Sequence, residues 1–310
     1  MSRCPVAWMI WSPSQGGRSR RHRRSALRRL LFVLLLACWP LSSVLAQETL
    51  REEWGAEVAR SPLAEPIHVA SEERRYSISG SVHARINEPF DGLATVLGSV
   101  AAWCDILFLH PNVQACLHDD GEAPAAMQLY VGRLESPLAA AERLELRLRV
   151  TAVGENYLAI RLEGSRGPYG TREFLLHLQA IPDEAGHSLM YLRYSLAFGA
   201  PARLALRAYF ALGGRQRVGF SVEAIGADGE PRFVGGVRGM IERNVMRFYL
   251  GLVVHLETLA VPEPERLDAR LAGYFAATDR YPRQLRELDE ASYLALKHRQ
   301  HAAQQALRPR

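Results

Sequence analysis

Residues 142–150 read Glu142-Arg143-Leu144-Glu145-Leu146-Arg147-Leu148-Arg149-Val150, an unbroken alternation of charge and aliphatic carbon. Successive side chains of a strand point to opposite faces. Leu144, Leu146, Leu148 and Val150 therefore share one face, and Arg143, Glu145, Arg147 and Arg149 the other. A strand that is apolar on one side and charged on the other belongs to an antiparallel sheet covered on one face only.

The same period extends in both directions. Downstream, Leu158, Ile160 and Leu162 repeat it across a turn at Gly154-Glu155-Asn156. Arg172, Phe174, Leu176, Leu178 and Ala180 share a face of the next strand, and Met190, Leu192, Tyr194 and Leu196 a face of the one after. Upstream, Met127–Leu134 reads as a strand. Before it, Tyr76, Ile78, Gly80, Val82, Ala84 and Ile86 alternate with Ser77, Ser79, Ser81, His83 and Arg85. Helical spacing breaks the series in three places. Pro89 opens a stretch with Phe90, Leu93, Val96, Leu97 and Val100, and Pro201 opens one reaching about Gly213. The longest apolar helix covers about Arg238–Ala260, with Ile241, Val245, Phe248, Leu252, Val253, Leu256 and Leu259. A hairpin, Arg217–Ile225 with Pro231–Val234, is expected around Asp228-Gly229.

The ends of the chain read differently. Eight arginines and no acid precede the apolar run Leu30–Ala37, and Val44-Leu45-Ala46 forms a cleavage signal before Gln47. The run is too short to span ~30 Å of hydrocarbon. Residues 1–46 are thus expected to be a signal peptide for export to the periplasm; a lipoprotein cut that makes Cys38 the first residue is the alternative. Residues 47–73, with Pro62 and Pro66, form a lead-in with one short helix around Glu52–Ala59. Residues 74–262 form one α+β domain, and 263–310 a polar helical tail whose helices start near Pro264 and Pro282.

Removing the leader changes the charge. The chain has 38 basic and 33 acidic residues; without the eight arginines 30 face 33, so +5 becomes −3. The basic balance belongs to the leader, which excludes a nucleic-acid partner. Cys4 and Cys38 leave with it, and Cys104 and Cys116 remain as either a disulfide or two buried thiols. Together with His110 and His118 they match no structural zinc spacing.

The order of strand, helical insertion, long antiparallel sheet and closing helix resembles the START-like (helix-grip, SRPBCC) superfamily. Gly167-Pro168-Tyr169-Gly170-Thr171-Arg172-Glu173-Phe174 is similar to the START segment in which a proline turn leads into arginine, acid and aromatic on a strand. Gly235-Gly236, with Asn244 inside the last helix, resembles the approach to the closing helix, although Val237-Arg238 stands where a proline is usual. Trp103 sits where these proteins often carry a tryptophan. The resemblance covers about residues 74–260. It implies a helix-grip fold, a curved antiparallel sheet wrapped around a long C-terminal helix, with the tail outside the pattern.

The resemblance also implies an internal cavity for a hydrophobic small molecule or lipid, with Arg172, Phe174, Trp103, Tyr194, Asn244 and Phe248 as candidate ligand-binding residues. Arg172 falls on the face of Phe174 and Leu176, so its charge is expected to point inward, toward either a ligand head group or a bracing carboxylate. Arg238, Glu242, Arg243, Asn244 and Arg247 cluster on the first turns of the long helix; they line a cavity entrance or form a solvated face, with Arg238 and Glu242 spaced to pair. His110, His118, Asp119 and Asp120 form a local polar group, read as a wet loop rather than a cation site. No catalytic signature is present: G-x-S-x-G, S-x-x-K, H-E-x-x-H, a Walker loop and G-x-G-x-x-G are all missing. No catalytic residue, metal site or cofactor is assigned. The expected function is a periplasmic carrier for a lipid or other hydrophobic molecule, compatible with contact at a membrane surface. The alternatives are a START-like enzyme, cyclase or hydrolase, on a hydrophobic substrate, and an envelope scaffold acting through its tail.

Overall fold

A computed structural model describes residues 47–119, 125–201, 203, 204, 206, 208 and 216–307. The leader with its alternative cut at Cys38, Asp120, and most of the helix expected after Pro201 lie outside the described residues. Eight strands form one antiparallel sheet: β1 (Ile67–Glu73), β2 (Ser77–Ile86), β3 (Val113–Asp119), β4 (Ala126–Val131), β5 (Glu142–Gly154), β6 (Tyr157–Arg166), β7 (Thr171–Pro182) and β8 (Ser188–Phe198). Their order is β1-β2-β8-β7-β6-β5-β4-β3. From β3 to β8 the chain meanders between neighbours. The one long step, β2 to β3, crosses the whole sheet and is made by α2 (Phe90–Leu97) and α3 (Val100–Phe108), a helix pair bent by 90°; α1 is the helix over residues 47–59. The hairpin forms as β9 (Val222–Ile225) and β10 (Pro231–Phe233).

The apolar face of the sheet is covered by α4 (Gly236–Glu257), and 16 of its 22 residues are buried. A helix this enclosed is gripped, not merely laid on a surface. It reaches the sheet closely because Gly80, at the centre of β2, has no side chain: a Cβ there would sit 3.0 Å from the carbonyl oxygen of Ile241. Leu144, Leu146, Leu162, Leu176, Leu178 and Leu192 point at the helix side and are fully or almost fully buried. Each such leucine contributes about 2 kcal/mol by leaving water. Val150 keeps the face of Leu148, opposite Ile160, yet is exposed at the point where the β5–β6 register begins to shift. Together the elements make the α+β helix-grip arrangement.

The sequence beyond 262 folds back onto this core. The helices α5 (Glu263–Asp279), α6 (Pro282–Leu285) and α7 (Glu290–Leu307) bury Leu271, Tyr274, Leu285 and Tyr293 against it. An edge strand leaves N–H and C=O groups without partners, and α7 supplies them for β3. Gln304 Oε1 accepts from the Cys116 N–H at 2.7 Å, and Lys297 Nζ donates to the Val113 carbonyl at 2.8 Å. Lys297 is entirely buried, donates also to Gln300 Oε1 at 2.8 Å, and lies 3.9 Å from the centroid of the Phe108 ring. Burial holds its ammonium well below the usual lysine range. From the other side Cys104 of α3 is joined to Cys116 by a disulfide across Cα atoms 5.4 Å apart.

Two strands were not expected. β1 lies within the residues read as a lead-in, where only Ile67 and Val69 alternate before Ser71-Glu72-Glu73. β3 is buried from Val113 to Cys116 without alternation, because α3 packs on one side of it and α7 on the other. Among the described residues no single helix is long and apolar enough to cross a membrane.

Candidate ligand site on the inner face

The inner face carries aromatic side chains at one end. Phe174 of β7 and Tyr194 of β8 meet with ring centroids 5.1 Å apart. Tyr194 meets Phe248 of α4 edge-on at 5.2 Å, and Phe248 meets the His110 ring at 5.4 Å. Edge-on contacts of this kind suit the ring quadrupoles. The row ends on Asn244, one turn before Phe248, whose Oδ1 lies 3.4 Å from His110 Nε2. Phe174, Tyr194 and Phe248 are 7%, 6% and 8% exposed, whereas Leu176, Leu178 and Leu192 beneath them are 0% exposed. All three rings are buried, slightly less completely than the leucines beneath them.

Electrostatics keep this row uncharged. Burial is the main cause that lowers the His110 pKa to about 3, helped by the nearby positive charges of Arg247 and Lys297 and opposed by Asn244. Its Nδ1 accepts the backbone N–H of Asn112 at 3.1 Å, so the proton sits on Nε2 and faces Asn244. Burial pushes the Tyr194 phenol well above its usual range, so it stays a neutral hydroxyl. The site offers apolar ring faces with a hydroxyl and a half-buried amide as its polar groups. Such a composition suits the orientation of an apolar ligand.

Four of the six expected ligand residues, Phe174, Tyr194, Phe248 and Asn244, thus meet at one place. Two do not. Trp103 is fully buried and its indole donates to the Leu97 carbonyl at 2.7 Å, satisfying the end of α2 and fixing the corner between α2 and α3. Arg172, expected to point inward, is exposed to solvent. The reason is a bulge: β7 places one extra residue between Arg172 and Leu175 relative to β8, with Glu173 at φ 54°. One inserted residue reverses the parity of everything before it, so Arg172 stands opposite Ala197 and not beside Phe174. The sequence places His110 in a zinc spacing that fails and in a wet polar loop, whereas the structure buries it. Its position between the buried run Ile106–Leu109 and buried Val113 was the signal that it belongs to the core.

The polar cluster on the first turns of α4 is a buried anchor. Glu242 accepts from Ser71 Oγ at 2.6 Å, Ser221 Oγ at 2.8 Å, and the backbone N–H groups of Phe220 and Ser221 at 2.7 and 2.9 Å. Arg238 does not pair with it; its guanidinium reaches Ser71 Oγ and Glu223. Arg247 donates to the Leu285 carbonyl and to Glu287 at 2.7 Å, and Arg243 to the Val218 carbonyl. These groups tie α4 to neighbouring segments and form no solvated face.

An opening of about 990 Å³ lies elsewhere, across the outer face of the sheet. Asp119, Ala126, Arg147, Glu163, Leu175 and Ser195, which line it, stand opposite one another on successive strands. Glu163 there sits 2.9 Å from Arg161 and 3.5 Å from Arg149. The outer groove is lined by polar and charged side chains, whereas the ring row on the inner face is apolar.

No family model matches the chain, and no curated protein matches it. Among solved structures it is similar to norcoclaurine synthase from Thalictrum flavum, in complex with dopamine and hydroxybenzaldehyde. That likeness has 11% identity and a TM-score of 0.31 and covers 43% of this chain and 78% of that one. It is also similar to a conserved protein of unknown function from Enterococcus faecalis, at 8% identity and a TM-score of 0.29 over 83% of this chain and 96% of that one. A solution structure from Thermobifida fusca matches at 15% identity and a TM-score of 0.27, over 47% and 87%. The fold assignment rests on the strand order and the enclosed helix, and the site on its own residues.

Proposed function

We propose that the chain is an exported, START-like binding protein that carries a lipid or other hydrophobic small molecule at the ring row Phe174–Tyr194–Phe248. The convergence of these three rings with the half-buried Asn244 on the inner face is the observation that carries the reading. Neutral rings give apolar contact, and the Tyr194 hydroxyl and the Asn244 amide orient a polar end of the ligand. Export is supported by the arginine-rich leader pattern and by the Cys104–Cys116 disulfide, which suits an oxidising compartment. The catalytic alternative needs Arg172 buried beside an acid or histidine on the inner face, and Arg172 is exposed to solvent. The scaffold alternative needs a tail whose apolar side is available, and that side is spent on Leu271, Tyr274 and Tyr293 within the chain's own core.

Native mass spectrometry of protein purified from the envelope fraction, with titration by an environment-sensitive apolar dye, tests the reading. A co-purified apolar molecule is expected, together with dye binding that Phe248→Ala weakens about tenfold, the effect of losing one buried ring contact worth about 1.4 kcal/mol. A protein that carries nothing and binds no dye overturns it. So does dye binding that is the same in Phe248→Ala and Tyr194→Ala as in the wild type.

A further inference from the structure

The outer face holds a second constellation, at the β1–β2 edge of the sheet, opposite the edge that α7 covers. Helix α1 lies there on β7 and β8, with Trp54 and Val58 buried against Ile181 and Leu189. One position before Val58, Glu57 is carried to the strands β1 and β2. His68 and His83 are direct cross-strand partners on those strands, so their side chains leave the same face side by side. The Nδ1 of His68 lies 2.9 Å from Glu57 Oε2, yet it forms no hydrogen bond there. The Nδ1 of His83 is also buried and without a hydrogen-bond partner among the described residues. One donor atom from each of the three residues lies within 4.8 Å of the others.

From this we infer that Glu57, His68 and His83 form a binding site for a borderline divalent cation, of which Zn²⁺ is the representative. Two imidazoles and one carboxylate are a donor set that Zn²⁺ takes with a fourth position left for water. Three nearby side chains hold the ligands in place. The Arg60 guanidinium pairs with the other carboxylate oxygen of Glu57 at 2.6 Å, turning Oε2 toward the histidines. The His83 ring is held between Tyr191, at 4.7 Å, and Trp54, at 6.3 Å. All three ligands are half-buried, so an ion from solvent can enter. No sequence pattern announces the set, because Glu57, His68 and His83 come from a helix and two strands; the fold alone assembles them. A bound cation would fasten α1 to the edge formed by β1 and β2.

Isothermal titration of the chelator-stripped protein with ZnCl₂ tests the site. One Zn²⁺ per chain is expected, with affinity reduced at least tenfold in Glu57→Gln and in His68→Ala. Glu57→Gln keeps the size of the helix residue, and circular dichroism and melting in chelator check that both variants fold as the wild type does. Limited proteolysis gives a second readout: Zn²⁺ is expected to slow cleavage at residues 51–60 in the wild type and not in either variant. No Zn²⁺ uptake by the wild type, or uptake of equal affinity in both variants, overturns the assignment. Neither result would touch the ring row, which lies on the other face of the sheet.

Discussion

The two faces of one sheet are made from the same strands, residue by residue, and are held in opposite ways. On β8, Met190, Leu192, Tyr194 and Leu196 go under α4, while Tyr191, Arg193 and Ser195 go outward. The inner face is held by burial and by a few deeply placed polar anchors that cannot exchange their partners for water. The outer face is held by charged pairs that can. The contrast teaches that similar residue types carry very different energy on the two sides: a carboxylate at Glu242 fixes a helix, whereas one at Glu163 decorates a groove.

The largest effect that would sharpen this contrast is expected at Glu242. Glu242→Ala removes the acceptor of two backbone N–H groups and two hydroxyls in a fully buried place. A loss of about 4 kcal/mol is expected, read as a lowered urea midpoint. A loss below about 1 kcal/mol would mean that water replaces the carboxylate and that the anchor is not closed. Next comes the disulfide between α3 and β3: Cys104→Ala with Cys116→Ala is expected to cost about 3 kcal/mol, from the freed loop of the unfolded chain. An unchanged melting temperature would break that estimate.

Acid should separate the faces as well. His110 and His255 are uncharged in the fold down to about 3, each chiefly because it is buried. In the unfolded chain both gain a proton near pH 6.5. The unfolded state therefore binds more protons between those limits, and stability is expected to fall as pH is lowered from about 6.5 toward 3. Urea midpoints across that range check this, and the double variant His110→Gln/His255→Gln should flatten the slope. A slope unchanged in that variant would move the cause to other groups. The smallest effect belongs to the outer face. Glu163→Gln, which weakens the pairs with Arg161 and Arg149, is expected to shift stability by less than about 0.5 kcal/mol, because exposed pairs are screened. A loss several times larger would erase the contrast.

Most of the sheet was legible because its strands bury one side only and so alternate in polarity; β5 through β8 and β2 are of this kind. β3 was not, because Val113-Gln114-Ala115-Cys116 is covered on both sides and a doubly buried edge carries no period. β1 was not, because two inward residues are too few to set a rhythm. At the candidate site, Phe174, Tyr194, Phe248 and Asn244 were implied by the family resemblance, with strand alternation placing Phe174 and Tyr194 on the inner face. Arg172 was misplaced because alternation counts residues and a bulge adds one. His110 was overlooked because a histidine in a polar-looking run gives no sign of the helix and strand that enclose it. The trio Glu57, His68 and His83 depends on strand pairing, which no local pattern displays.

Lys297 is the only lysine of the chain, and in the fold its amine is fully enclosed. Every other positive side chain is an arginine or histidine, so the native protein offers no ε-amine to acylating, cross-linking or glycating reagents. Amine-directed labelling would fall on the chain's α-amino group alone until α7 lifts from β3. Lysine acylation is thus a built-in clock for that opening: a mass gain at Lys297, followed over time, reads the rate at which the tail leaves the edge it protects.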